Sequence, residues 1–193
     1  MANVDRAGGF RPVGHLGGSS YNGRVREYSV KSDYATAIFV GDAVAVTGAA
    51  NTDGLANVDI AAAGEVIVGV VVGVKLDRAV AATEHPGYLP ASTGGIVLVN
   101  DDPMTLFSVQ EDSTGGAAGV AAIGDTFNHS VATAGSTTTG MSGHELDSSD
   151  VGTGTGFVIV AADRRVDNEP ANTSAKYIVK INEHQYSSNS VGG

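Results

Sequence analysis

The sequence predicts a mainly β fold: a small antiparallel β-barrel or sandwich with an extended N-terminal arm. Short runs rich in β-branched residues alternate with glycine-rich turns, at a spacing that suggests about eight to ten strands. Scarcely any segment shows a convincing helical period. The 193 residues include 27 glycines and no tryptophan. This length permits one domain with its own core, plus extensions.

The first thirty-one residues predict an arm. They hold five of the eleven Lys and Arg against two acids, whereas six bases face nineteen acids from Ser32 onward. A segment of about +3 therefore precedes a body of about −13, with no apolar period in AGGFRPVGHLGGSSYNG. We expect residues 1–31 to form an extended binding arm, residues 32–186 a β-rich domain, and residues 187–193 a flexible tail.

Strands follow along the predicted domain. The clearest is EVIVGVVVGVKL at 65–76, whose six valines and two glycines have poor helix propensity. Its glycines, Gly69 and Gly73, indicate a bend, a bulge or the close approach of another backbone. The tract from about 113 to 156 is rich in Gly, Ser and Thr and is predicted to be a loop region. The other predicted strands are 25–30, 36–40, 43–47, 95–99, 105–110, 157–161 and 176–181.

Candidate catalytic and metal-binding motifs are weak. None of the five histidines forms a compact metal pattern with another, and His144-Glu145 lacks the second histidine of H-E-x-x-H. The GTGTG run at 152–156 precedes a strand rather than a helix, which removes the dipole that holds a phosphate. The sequence TGMSG at 139–143 misses the G-x-S-x-G nucleophile pattern by one position. We therefore expect no catalytic residues, no metal site, no cofactor and no enzymatic activity.

Charge and hydropathy restrict the expected partners. A pI near 4.7 argues against general nucleic-acid binding, which needs clustered positive charge. No run of eighteen apolar residues is present, and MANVDRAGGF has charges and glycines where a signal peptide needs an apolar stretch. We expect a soluble protein made in the cytoplasm, with neither a nucleic acid nor a membrane as partner.

Three stretches follow one another along the chain: residues 3–13 running on to Tyr28, residues 38–44 with the Gly-Val-Val-Val-Gly-Val run at 69–74, and residues 102–112 echoed at 176–184. Their order resembles that of the cement, or capsid-decoration, proteins of tailed bacteriophages. The resemblance implies a non-enzymatic structural virion protein on the outer capsid surface. Its implied partners are the major capsid protein and neighbouring copies of itself, as a trimer or dimer.

If the resemblance holds, the arm is expected to supply the capsid interface. Its arginines would pair with capsid carboxylates, and its Phe, Pro and Tyr residues would be the anchors in shallow pockets. The expected interface residues are Arg6, Phe10, Arg11, Pro12, Tyr21, Arg24 and Arg26.

Two other functions are also compatible with parts of the sequence. The main alternative is a carbohydrate- or receptor-binding β-module on a virion or cell surface, which the glycine-rich loops and the acidic surface fit. Sugar-binding platforms usually expose Trp or Tyr, and this chain has no Trp. A hydrolase of the β-barrel type is disfavoured by the weak catalytic motifs. Glycan binding by the isolated domain would favour the main alternative, and lattice-dependent binding would favour capsid decoration.

Overall fold

A computed structural model describes residues 3–75 and 86–187. The protein is mainly β, with 39% strand and 3% helix, which confirms the predicted fold class. The described residues contain the strands β1 (Arg11–His15), β2 (Arg26–Val30), β3 (Ala43–Ala50), β4 (Ala56–Ile60), β5 (Gly69–Lys75), β6 (Gly95–Asn100), β7 (Thr105–Gln110), β8 (Thr126–Phe127), β9 (His129–Ser130), β10 (Glu145–Leu146), β11 (Phe157–Ala162) and β12 (Lys176–Ile181). Two short 3₁₀ turns lie at Val120–Ala122 and Ser148–Asp150.

Five strands close into a barrel in the order β2-β4-β3-β5-β6. The pairs are antiparallel except β2 with β4, which meet in parallel at Ser29 and Asn57. β-branched side chains fill most of the interior, as is usual in a narrow barrel. The buried residues of this core are Tyr28, Val30, Ile38, Val44, Val58, Val68, Val71, Leu89, Val97 and Val99.

The glycines of β5 mark irregular points in the barrel. A Cβ on Gly69 would collide with the backbone carbonyl oxygen of Asn100 on β6. Gly73 follows a register shift that begins at Val71. The sequence-based expectation of close backbone approach and a bulge at these glycines is confirmed.

A second sheet packs around the aromatic core in the order β1-β7-β12-β11-β8. Phe107, Phe127, Phe157 and Tyr177 are fully buried in it. A short β9–β10 ladder lies outside this sheet. The tract 113–156, predicted as a loop region, carries β8, β9 and β10 and places Phe127 and Leu146 in the core. These two apolar side chains anchor an otherwise polar tract, so it is part of the folded domain.

The predicted boundary at residue 31 is corrected by the structure. β2 is a barrel strand that pairs with β6, and β1 pairs with β7 in the second sheet. The segment before β2, residues 3–25, is called the strap below because it lies against the body rather than extending from it. The reason is hydrophobic: Phe10 and Tyr28, both from the predicted arm, are core residues.

Parts of the chain lie outside the described residues. These include His85 and all of the predicted tail except Ser187. They also include Leu76, the last residue of the strand predicted at 65–76. Within the residues that are described, none of the helical segments has the length and apolar character needed to span a membrane.

Candidate interaction surface on the strap

The beginning of the strap is held by one asparagine side chain. Asn3 Nδ2 donates to the backbone carbonyl oxygens of Glu169, Asn172 and Thr173 at 2.9, 3.2 and 2.9 Å. Asn3 Oδ1 accepts from the backbone N–H of Glu169 at 2.7 Å. The primary amide thus uses both its donor and its acceptor capacity on a single loop of the body.

Gln110, at the end of β7, clamps the next part of the strap. Its Oε1 accepts from the backbone N–H of Arg6 at 3.0 Å, and its Nε2 donates to Asp5 Oδ1 and Glu145 Oε1, each at 2.9 Å. Gln110 is only 3% exposed, so these bonds are shielded from water. This role could not be predicted from the sequence, because the strap partners lie more than a hundred residues earlier and leave no local signal.

Phe10 fixes the strap to the core and is not available to a partner. The side chain is 1% exposed, and its ring stacks on Phe157 with centroids 4.3 Å apart. Gly9 has φ of +67°, and a Cβ there would lie 2.5 Å from Ser142 Cβ and 2.7 Å from the carbonyl oxygen of Gly41. The expectation that Phe10 anchors a capsid pocket is therefore wrong, because the chain's own aromatic core takes the ring.

A groove lined by cations runs between the strap and the second sheet. The basic groove is defined by Arg6 and Arg11 from the strap, Arg165 from the β11–β12 connection, and Lys176 from β12. It consists of two adjoining depressions of about 220 and 230 Å³ that share Arg6, Arg165 and Lys176. Neither Arg165 nor Lys176 was expected at the site, because only the fold brings them beside the strap.

Three of these cations form no salt bridge within the described residues. Arg165 donates to Asp167 through two parallel hydrogen bonds of 2.9 and 3.0 Å, which lower the pKa of the Asp167 carboxyl, and the charge of Lys176 also lowers this pKa. Among residues 3–75 and 86–187, no carboxylate oxygen lies within 4.0 Å of a cationic nitrogen of Arg6, Arg11 or Lys176. These charges are available to an external anion.

An apolar cleft continues from the basic groove beyond Arg11. The cleft of about 410 Å³ lies between the strap and the outer face of the barrel. Pro12, Tyr21 and Val25 line one side, and Val72 and Leu98 of the barrel line the other. The basic groove and this apolar cleft together are called the strap surface below. Exposed apolar side chains of β1 and its surroundings, Val13, Leu16 and Met104, lie outside the cleft lining.

Arg24 and Arg26 lie apart from the basic groove. Arg26 Nε is 3.3 Å from Asp101 Oδ2, and Arg24 NH1 is 4.0 Å from Asp102 Oδ2. The carboxylates belong to the turn between β6 and β7, so both arginines have partners within the chain. Of the expected interface residues, the structure places Arg6, Arg11, Pro12 and Tyr21 on the strap surface.

A buried polar cluster joins the 39–42 turn to the 142–144 segment. His144 Nδ1 accepts from the backbone N–H of Ala43 at 3.2 Å, and its Nε2 lies 3.5 Å from Asp42 Oδ1. Asp42 Oδ2 accepts from the backbone N–H of Phe39 at 2.7 Å. Ser142 hydrogen-bonds Asp42 through its side chain, and its Oγ accepts from the backbone N–H of His144. Since both imidazole nitrogens have other neighbours, His144 is not placed to activate Ser142 as a nucleophile.

Burial controls the charge of this cluster. It raises the pKa of Asp42 to about 6 and lowers the pKa of His144 to about 4. The pKa of His129, whose Nε2 is 2.7 Å from the carbonyl oxygen of Ala61, is also lowered to about 4, first by burial and then by the neighbouring His144. Both imidazoles are therefore neutral near pH 7. Within the described residues, no three His, Asp or Glu side chains are grouped so as to hold a metal ion.

Comparison of the chain with protein-family models, with curated proteins and with solved structures gives no match. The function is therefore argued from the chemistry of the strap surface.

Proposed function

We propose that this chain is a capsid cement, or decoration, protein that binds the outer surface of an assembled major capsid protein shell and stabilises it. The observation that carries the proposal is the strap surface: unpaired cations beside an apolar cleft, on a chain of net charge −10. The sequence resemblance to phage cement proteins supports the same class. In this proposal the protein is made in the host cytoplasm and becomes part of the virion.

The composition of the strap surface suits a protein partner. Arginine and tyrosine are enriched where protein interfaces concentrate their binding energy, and the strap surface offers Arg6, Arg11 and Tyr21. Pro12 adds rigid apolar area. An interface of this kind needs a shaped protein surface opposite it, which a capsid shell provides.

The fixed strap changes the expected binding mechanism. A free arm would lose conformational entropy when it ordered on a capsid. Here Asn3, Gln110 and Phe10 already hold the strap in place. Binding therefore proceeds from a preorganised surface, so less of the interaction free energy is lost to ordering.

Stabilisation of the shell follows from selective binding. A protein that binds the assembled lattice but not free subunits shifts the equilibrium toward the lattice by mass action. Many copies on one closed shell add their contributions, so each contact can be weak. Contacts between neighbouring copies, as dimers or trimers, belong to the proposal because the predominantly small core residues leave a modest stability margin.

The proposal includes no enzymatic role. The support for this part of the proposal is the buried cluster, where the backbone N–H of Ala43 and the carboxyl of Asp42 contact the two ring nitrogens of His144.

Shell calorimetry tests this function. Intact shells that lack the protein would be melted with and without the purified full chain, and free capsid subunits would be melted in parallel. We expect a higher melting temperature for the shells and no change for the subunits. An unchanged shell melting temperature at saturating protein would contradict the proposal and favour the glycan- or receptor-binding module.

A further inference from the structure

We propose that the basic groove is a binding site for an extended, carboxylate-bearing peptide segment. The identification of that segment as part of the capsid protein rests on the proposed function. The proposed site consists of Arg6, Arg11 and Lys176, whose cationic nitrogens have no carboxylate oxygen within 4.0 Å among the described residues.

The shape of the groove favours an extended chain over a single ion. The first depression is bordered by Asn3 and Val4, and the second by Gly8 and Ser108. They join where Arg6, Arg165 and Lys176 line both. A peptide in extended conformation advances about 3.3 Å per residue, so carboxylates on alternate residues fall on one side about 6.6 Å apart. Such a peptide can therefore present several carboxylates to the cation-lined groove.

The chain itself shows how a carboxylate is held at this surface. Asp167 receives parallel hydrogen bonds of 2.9 and 3.0 Å from Arg165 Nε and NH2. Arg6 and Arg11 present the same planar group with no acid bound to it, and guanidinium matches a carboxylate in this two-bond geometry. Lys176 adds a point charge at the centre of the groove.

The surroundings disfavour a nucleic acid as occupant. Asp163 accepts from Ser108 Oγ at 2.9 Å beside the groove, and Asp167 lies within it. A continuous phosphate backbone would pass these acids as well as the cations. The net charge of −10 also repels a long polyanion, whereas a short acidic peptide covers less of the acidic surface around the cations.

Peptide titration tests the inference. The full chain would be titrated at low salt with a synthetic ten-residue peptide of alternating Asp and Ala, with its Asn counterpart, and with a single-stranded oligonucleotide of equal charge. We expect the Asp peptide alone to bind, with NMR shift changes at Arg6, Arg11 and Lys176, and to weaken as salt rises. Equal shifts with the Asn peptide, shifts away from the groove, or tighter oligonucleotide binding would overturn the inference.

Charge-removing variants make the test specific. Arg6→Gln with Lys176→Gln should weaken Asp-peptide binding by about tenfold or more, since two charged hydrogen-bond donors to the peptide carboxylates are lost. Lys75→Gln is the matched control, because Lys75 pairs with Glu27 at 3.0 Å and does not line the groove. Unchanged thermal midpoints would show that all variants fold. Equal affinity of the double variant and the control would overturn the inference.

The capsid part of the inference is tested separately from the proposed function. The same variants would be sedimented with intact shells. If the double variant loses peptide binding but keeps full shell binding, the groove does not hold a capsid segment, although the cement function stands. If the wild-type chain binds the peptide but no shells, the cement function fails and the peptide site stands.

Discussion

Single buried side chains decide which parts of the strap can meet a partner. Phe10 and Tyr21 are both aromatic residues of the glycine-rich N-terminal segment, but Phe10 stacks on Phe157 in the core while Tyr21 lines the open cleft. An aromatic side chain thus has a structural role at position 10 and is available for binding at position 21.

Replacing Phe10 tests its structural role. We expect Phe10→Ala to lower the free energy of unfolding by about 3–5 kcal/mol, because a fully buried ring is lost and a cavity remains. Tyr21→Ala, at a partly exposed position, should cost less than about 1.5 kcal/mol. Denaturant titration of both variants measures the difference. A loss below about 1 kcal/mol for Phe10→Ala would contradict the core assignment.

The buried histidines predict a sensitivity to acid. Because the folded pKa of His129 and His144 is lowered to about 4 from 6.5, their stability contribution is fully present above pH 6.5 and is lost as the pH falls toward 4. Each ring accounts for about 1.4 kcal/mol per pH unit in this window. Asp42 has the opposite sign, because its raised pKa favours the protonated folded form below about 6. As the pH falls, the stability lost through the two rings exceeds the stability gained through the one carboxyl.

NMR titration of the folded protein measures the pKa values of these two rings directly. The imidazole resonances of His129 and His144 should stay in their neutral positions at pH 5.5 and shift only near pH 4. Ring pKa values near 6.5 for both would contradict the burial argument.

At the scale of secondary-structure elements, side-chain hydrogen bonds hold the strap against the body. Gln110 joins β7 to Asp5, Arg6 and Glu145, and its loss would leave the buried Glu145 without this donor. The pKa of Glu145 is already raised by burial. Gln110 therefore contributes to the strap position together with Asn3 and Phe10.

Removing that amide should loosen the strap. For Gln110→Ala we expect a loss of about 1–3 kcal/mol in unfolding free energy and faster amide hydrogen exchange at Arg6. Ser108→Ala, on the same strand, removes only the bond to Asp163 and serves as the control. Unchanged exchange at Arg6 in the Gln110 variant would show that the clamp does not hold the strap.

The glycines of β5 provide a second test at the scale of elements, because they report on the packing of β5 against β6. Gly69→Ala should cost about 1–3 kcal/mol, because its Cβ meets the rigid backbone of Asn100. Gly73→Ala should cost less than about 1 kcal/mol, since the nearest atom is the Cδ1 of the Leu98 side chain at 3.3 Å, which can shift. Thermal unfolding of both variants compares them. Equal destabilisation would contradict the close approach of β5 and β6.

Four of the five barrel strands could be predicted from sequence because their signal is local. The fifth, β4, was missed, and the strand predicted at 36–40 forms only isolated bridges at Ile38 and Val40. The valine run at 65–76 and its two glycines showed both a strand and its irregularities. The strap could not be assigned in the same way, because the partner of Phe10 lies 147 positions later, at Phe157. Likewise, Arg165 and Lys176 join Arg6 only through the arrangement of the second sheet. The local sequence indicated that the arginines could contact a partner, but it did not indicate which of them share a groove.

At the scale of the whole molecule, the strap contributes both to folding and to the proposed binding surface. Deleting residues 2–23 would remove Phe10 and β1 from the second sheet, so loss of binding by such a truncation would not separate the two effects. Substitutions at exposed positions such as Arg11 do separate them, because Arg11 lines the groove without entering the core.

Co-sedimentation tests the central claim most directly. Purified wild-type chain, the combined variant Arg11→Gln with Tyr21→Ala, and the Lys75→Gln control would be spun with intact shells that lack the protein, and with free capsid subunits. We expect saturable binding of the wild type and the control to shells only, with binding of the strap variant reduced by about tenfold or more. Absence of wild-type binding to shells, or binding of the strap variant equal to that of the control, would contradict the account.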